Sequence, residues 1–315
     1  MRSRTHRAMD DGPAVGRASR RTARRVLAAT AAASLLAVLA ACGGDSSDDD
    51  GATPPPSGNP SVAAALPAEY AGKTLKVATD ATYPPNEYFD TDGKTIIGMD
   101  VDLIEALGSA LGVEVEVENA GFDDILPGIG SKKYDIGVSS FTDTKEREEV
   151  VDFVTYYSAG TAFFTTADNG AQITTIEDLC GLSVAVETGT TQADAATAQD
   201  GKCKEAGKPG VTVQVFPDQN AANLALSSGR AQLGMADAPV AAYLVNESGG
   251  KLALVGEQFD TAPYGIAVGK GSGLAEPLKA ALEQIIADGT YTKILEKWGM
   301  ADGAITDPVI NGAIS

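Results

Sequence analysis

The residues with the clearest chemical potential lie between Tyr134 and Phe153, in the run YDIGVSSFTDTKEREEVVDF. Ser139, Ser140, Thr142 and Asp143 put four small hydrogen-bonding side chains into one short loop, and Arg147 follows just after them. The loop is entered from Asp135–Val138, apolar at Ile136 and Val138 as a buried strand would be. It is left through Thr144–Val150, a helix-forming stretch whose open N–H groups Asp143 or Thr144 can cap. Arg147 therefore falls in or near a first helical turn, where the helix's own partial positive charge disfavours a cation. Hydroxyls, open backbone N–H groups and a guanidinium gathered at one helix start have the chemistry of a carboxylate receptor. A plainer reading stands beside it: Lys145–Glu149 is a charge run, KEREE, and such runs are commonly solvated helix faces.

A loop of this kind needs rigid elements behind it, and the flanking sequence alternates strands with helices. Leu75–Thr79 reads as a strand, and 88–97 as a hairpin turning at Asp92-Gly93. Val101, Ile104, Leu107 and Leu111 recur at helical spacing, predicting a helix capped by Asp100 and ended by Gly112. Val113, Val115 and Val117 alternate with Glu114, Glu116 and Glu118 as in a half-exposed strand. Residues 122–130 read as a short helix interrupted at Pro127. Further strands are predicted over 182–186, 211–216, 232–236, 252–255 and 265–268, and helices over 192–199, 219–227, 239–246, 274–288 and 291–298. This rhythm predicts α/β domains with largely parallel sheets, and about 230 residues suit two lobes. In open sheets of this class, ligands sit beyond the carboxyl ends of the strands. Asp80, Ser140, Thr190 and Asp237 each follow a predicted strand, so four polar clusters can converge on one cleft.

Charge is distributed unevenly. Residues 1–41 carry eight Arg and two acids, whereas the whole chain has a net charge of −19. The remainder is strongly acidic and a poor partner for nucleic acid. Arg20-Arg21-Thr22-Ala23-Arg24-Arg25 precedes an apolar run of 16 residues, Val26 to Ala41. That run falls short of the ~20 residues that span a bilayer and reads as a signal peptide over 1–41. Residues 42–69, rich in Gly, Ser, Asp and Pro, read as a disordered tether. The single histidine, His6, falls in the leader, so the rest of the chain cannot build a His-based triad or an imidazole zinc site. Gly72-Lys73-Thr74 and Gly93-Lys94-Thr95 end as phosphate loops do, but Pro67 and Tyr88 stand at their first Gly positions. No cofactor is expected. Cys180 and Cys203 form an even pair in an exported chain, and the predicted strand and helix between them bring the chain back, so a disulfide is expected in preference to two thiols.

Ser140, Thr142, Thr144 and Arg147, followed by Val151-Asp152-Phe153, resemble the segment S-x-T/S-x-T-x-x-R…V-D-F of the polar amino-acid-binding proteins of ABC importers, solute-binding protein family 3. The likeness covers nearly all of 75–299. It takes in Ala78-Thr79-Asp80-Ala81-Thr82-Tyr83-Pro84-Pro85, Gly98-Met99-Asp100-Val101-Asp102-Leu103, Gly189-Thr190-Thr191-Gln192 and Gly234-Met235-Ala236-Asp237, in that order. Two departures are Lys145, at or near a position where the family usually has Pro, and Asn86, where many relatives have Phe. Leu39-Ala40-Ala41-Cys42 resembles the lipobox of bacterial lipoproteins, which implies a lipidated Cys42 that anchors the chain outside the cytoplasm.

The resemblance implies a two-lobed periplasmic-binding-protein-like fold (type II). Each lobe is expected as a mostly parallel sheet flanked by helices, with lobe one over 70–163 and 264–300, lobe two over 164–263 and a tail over 301–315. It implies that Arg147 pairs with a ligand's α-carboxylate, that Ser140 and Thr142 bond the same end, and that Asp237 pairs with its α-ammonium. Thr190 and Thr191 would offer further donors, Tyr83 and Phe122 would cover the aliphatic part, and Asp80 and Glu187 would lie near the side-chain end. That set favours arginine, lysine, ornithine or an amide such as glutamine. Plainer roles stand beside these: helix caps for Asp237, Thr190 and Thr191, core for Tyr83 and Phe122, a turn for Asp80 and a surface carboxylate for Glu187. The implied partners are an amino acid and the permease and ATPase subunits of an importer, as separate chains, with the receptor itself a monomer. Two other functions use the same fold: an exported arogenate or prephenate dehydratase with Glu187 as proton donor, and an amino-acid sensor.

Overall fold

The computed structural model describes residues 66–169 and 173–314. The leader 1–41, Cys42 and the tether up to residue 65 lie outside the described residues.

Lobe one opens with β1 (Leu75–Thr79) and a small antiparallel sheet of β2 (Thr82–Tyr83), β3 (Glu87–Phe89) and β4 (Ile96–Ile97). Helix α1 (Met99–Leu111), β5 (Val115–Asn119), α2 (Phe122–Gly130), β6 (Ile136–Gly137) and the four-residue α3 (Lys145–Glu148) follow. β5, β1 and β6 lie side by side and parallel. α1 forms where the apolar spacing places it and stops at Gly112, whose φ of 72° a residue without Cβ adopts at little cost. Its start corrects the sequence reading: Gly98 is the N-cap residue, and Asp100 lies inside the first turn. The Asp100 carboxylate is drawn off the helix instead, accepting from the Tyr156 hydroxyl at 2.8 Å and the Ser140 N–H at 2.9 Å. α2 is also unbroken. Pro127 sits on its exposed side, where water can serve the carbonyl that lacks a partner N–H.

The largest departure from the sequence reading is a pair of long strands. β7 (Val151–Thr166) leads into β8 (Ser183–Glu187), α4 (Thr191–Glu205), β9 (Thr212–Phe216), α5 (Gln219–Ser227), β10 (Leu233–Asp237) and α6 (Ala238–Glu247). β11 (Leu252–Gly269) then returns antiparallel to β7 along its whole length, with irregular register between Val255 and Gly265. α7 (Ala275–Ala287) and α8 (Thr290–Trp298) close the element order back on lobe one. Through β7 and β11 the main sheet runs β5-β1-β6-β11-β7-β10-β8-β9, with three parallel strands at each end and the antiparallel pair at its centre. The sequence reading has no strand over 151–166 and two short ones in place of β11. β7 is buried along nearly its whole length, so it has no in-and-out alternation to read.

Each lobe keeps its own apolar core. In lobe one, Leu103, Ile104 and Leu107 of α1 pack with Leu278 and Leu282 of α7, with Tyr156 and Ile266 from the long strands, and with Leu66, so the folded region begins before residue 70. In lobe two, Val184, Val186, Leu233 and Met235 pack with Ala196 and Cys203 of α4 and with Phe163 of β7. Cys180 and Cys203 are disulfide-bonded, tying the approach to β8 to α4.

Candidate functional site

The carboxyl ends of β1, β6, β8 and β10 meet at a narrow cleft between the lobes. Asp80, Tyr83, Phe122, Ser140, Thr142, Arg147, Glu187, Thr190, Thr191 and Asp237 all line it. Ser139 of the same loop lines it too, and so do Glu87 and Gln192, to which the sequence reading gave no role. Gln192 stands within the motif Gly189-Thr190-Thr191-Gln192, which is the one signal that marks it.

At one end stands Arg147. The Thr144 hydroxyl caps α3 by accepting from the Arg147 N–H at 3.2 Å. The guanidinium donates to the Thr142 carbonyl at 2.8 Å and, across the cleft, to the Gly189 carbonyl at 2.9 Å. It lies over the rings of Phe122 and Phe141, 5.5 and 5.6 Å from their centres, and those rings stack on each other at 4.5 Å. The arrangement adds cation–π attraction on one side and leaves N–H donors of the guanidinium for a ligand. Burial lowers the Arg147 pKa, opposed by the charge of Asp237, and an arginine remains charged through such shifts. Gly189 has a φ of 70°, and a Cβ there would lie 2.9 Å from Asp123 Cβ. A glycine is needed for the lobes to approach this closely.

Beneath Arg147 the loop is fixed from below. Ser140 has a φ of 52°, unusual for a residue with Cβ, and Asp100 holds its N–H. The Asn86 amide donates to the Ser140 hydroxyl, and Ser139 donates to Glu87 Oε1 at 2.9 Å. Glu87 and Asp100 are both fully buried. Burial raises both carboxyls, Glu87 the more strongly because the charge of Asp100 adds to it.

In lobe two Thr190 is the N-cap of α4, its hydroxyl accepting from the Ala193 N–H at 3.2 Å, while Thr191 opens the helix. Asp237 precedes α6, but its carboxylate makes no cap bond. It accepts from Gln192 Nε2 at 2.8 Å, and burial pushes it up to about 6. Its backbone N–H donates to the Tyr83 hydroxyl at 2.8 Å. Tyr83 packs among Ala162, Phe164 and Val240 of lobe two, so it is at once packed in a core and part of the cleft wall.

Part of the cleft wall is acidic. Asp80 accepts from Thr82 at 2.7 Å and from the Phe122 N–H at 2.9 Å, and burial raises it despite those bonds. Glu187 is buried, not a surface carboxylate, and its Oε1 has no partner among the described residues. Burial, reinforced by the charges of Asp80, Asp218 and Asp123, pushes Glu187 up to about 9. A buried carboxyl in that state favours any cation that reaches it.

Comparison with known proteins agrees with this geometry. The family model of bacterial extracellular solute-binding proteins, family 3, matches residues 75–301. An arginine-binding protein of Corynebacterium glutamicum is 33% identical over 254 residues, covering 80% of this chain and 83% of its own length. Among solved structures, an ancestral arginine-binding protein bound to arginine is 39% identical, covers 73% of this chain and 99% of its own, and superposes with a TM-score of 0.67. An ancestral amino-acid-binding protein, described as a precursor of cyclohexadienyl dehydratase, is 36% identical, covers 71% and 95%, and gives 0.64. Matched over most of its length by the family model and by relatives of like size, this chain belongs to the bacterial extracellular solute-binding proteins, family 3.

Proposed function

We propose that this protein is the extracytoplasmic receptor of an ABC importer and that it captures a basic amino acid, arginine first, by closure of its lobes. The observation that carries the reading is the polarity of the cleft. The cleft wall carries a guanidinium with donors to give and, among other acids, the buried Glu187 carboxyl, whose Oε1 has no partner among the described residues. A zwitterion with a cationic side chain answers both the guanidinium and the acids. Its α-carboxylate meets Arg147, Ser140, Thr142 and the N–H groups at Thr190-Thr191, and its α-ammonium meets Asp237. Tyr83 and Phe122 flank the aliphatic stem, and Asp80 and Glu187 receive the cation. The names of the relatives support the arginine assignment. By the same reading, Cys42 carries the lipid anchor, the chain acts as a monomer, and separate permease and ATPase chains take the ligand onward.

The test is a thermal-shift screen against all amino acids, since a ligand that binds the folded form must raise Tm. Arginine should give the largest shift. Glu187→Gln should weaken arginine by about tenfold or more, as the loss of a hydrogen bond to a charged group does, and should raise glutamine relative to arginine. A screen in which no cationic amino acid shifts Tm ends this reading.

One observation favours a second reading. Glu187 is held neutral well above neutral pH, which suits a proton donor in a dehydratase of the arogenate or prephenate type. Turnover of arogenate decides for the enzyme, and recovery of unchanged bound amino acid decides for the receptor.

A further inference from the structure

Residues 302–314 lie beyond the family match, yet they are built into lobe one. There the first part of β7 pairs with β11 along one edge only, because β10 joins β7 further on, from Thr161. Backbone groups on the other edge need partners, and the tail provides them. The Thr155 N–H donates to the Val309 carbonyl at 2.9 Å, and the Asn311 N–H donates to the Phe153 carbonyl at 3.0 Å. The Asn311 side chain accepts from the Phe153 N–H at 2.9 Å and donates to Asp152 at 3.1 Å. Its backbone has a φ of 55°, a conformation that asparagine tolerates better than most residues.

Past Asn311, two successive N–H groups turn toward the segment that bears Arg147. Gly312 donates to Asp143 Oδ2 at 2.7 Å, and Ala313 donates to Glu148 Oε1 at 3.0 Å. These two acids bracket Arg147 at the two ends of α3. Asp143 is buried and its Oδ1 has no partner among the described residues, while Glu148 pairs with the exposed Lys145 ammonium and helps raise the Asp143 carboxyl. A helix of four residues cannot hold its own shape, and two neighbouring carboxylates repel. The tail's N–H groups oppose both tendencies.

We propose that Val309–Ala313 is a positioning strap: it holds the turn 142–148 so that the Arg147 guanidinium meets a ligand carboxylate without rearrangement. The consequence for affinity rests on the receptor reading above. Pre-setting a binding group in this way raises affinity by removing an ordering cost.

The experiment compares the full chain, a chain ending at Asp307, and Asn311→Ala, each with and without Arg147→Ala, by calorimetry with arginine. The shortened chain should bind arginine at least tenfold more weakly, and Asn311→Ala should lose part of that. In the Arg147→Ala background neither change should matter beyond about twofold. Retained affinity in both variants, or the same loss with and without Arg147, overturns the strap. Amide hydrogen exchange over 143–149 reads the strap without any ligand. Faster exchange there in the shortened chain and in Asn311→Ala supports it, and unchanged exchange overturns it even if arginine proves not to be the ligand.

Discussion

Arg147 faces two opposing demands. It sits at a helix start, where positive charge is disfavoured, and it is partly withdrawn from water, yet it must stay charged to grip an anion. The protein meets both with the Thr142 and Gly189 carbonyls and two aromatic faces. Arg147→Ala should therefore weaken arginine binding by roughly 2–5 kcal/mol, the usual loss when one member of a buried charge pair is removed. Calorimetry showing less than about a threefold change would remove the carboxylate assignment. A second prediction concerns Glu87 and Asp100, both fully buried in this form. Both carboxyls are raised by burial, so the folded chain holds protons that the unfolded chain gives up. The stability they carry is complete below about pH 4, where the unfolded chain also holds them. It falls as pH rises through the folded values, by about 1.4 kcal/mol per pH unit for each extra proton. Glu87→Gln keeps the shape and takes one proton out of the balance, so its Tm should fall less between pH 5 and 8 than that of the parent. Superimposable pH profiles would refute the raised Glu87 carboxyl.

At the scale of elements, reading the sequence works where burial is one-sided. α1, α5, α7 and α8 appear within a residue or two of their predicted bounds, because each turns an apolar stripe to a core and a polar face to solvent. It fails for β7, where burial on both faces leaves no period, and for Asp100, whose partners Tyr156 and Ser140 lie 40 or more residues away. The disulfide is legible because Cys180 and Cys203 are the two cysteines that fall within the folded region. It closes a loop with a sequence separation of 23, and such a loop contributes about 3 kcal/mol. Replacing both cysteines by serine should lower Tm by about 6–12 °C, given ~2–4 °C per kcal/mol for a domain of this size. A differential scan showing no change would mean that the bond adds nothing to lobe two.

At the scale of the molecule, the lobes are held shut by a few specific contacts: Arg147 to the Gly189 carbonyl, the Asp237 N–H to the Tyr83 hydroxyl, and the Gln219 N–H to Thr82 at 3.3 Å. A ligand favours this form only through contacts it makes to both lobes, which is why a zwitterion with a charged tail suits the cleft. The lipid anchor proposed at Cys42 carries a prediction of its own. Cys42→Ala should release the protein from membranes, and fractionation that still finds the variant in the membrane pellet would contradict the anchor.

The sequence by itself determined the α/β class, the order of most elements, the strand ends where polar groups collect, and the residue types of a carboxylate receptor. These follow from local periods and from composition, which a linear chain displays directly. Only the tertiary structure decided that β7 and β11 join the lobes as one continuous pair, that Glu87 shares a buried site with Asp100, that Glu187 is buried with its Oε1 unpartnered among the described residues, and that the tail clasps the turn around Arg147. Each of these depends on burial or on partners far apart along the chain. The Gly312 N–H and Asp143, for example, are 169 residues apart, and no period or spacing in the sequence records that they meet.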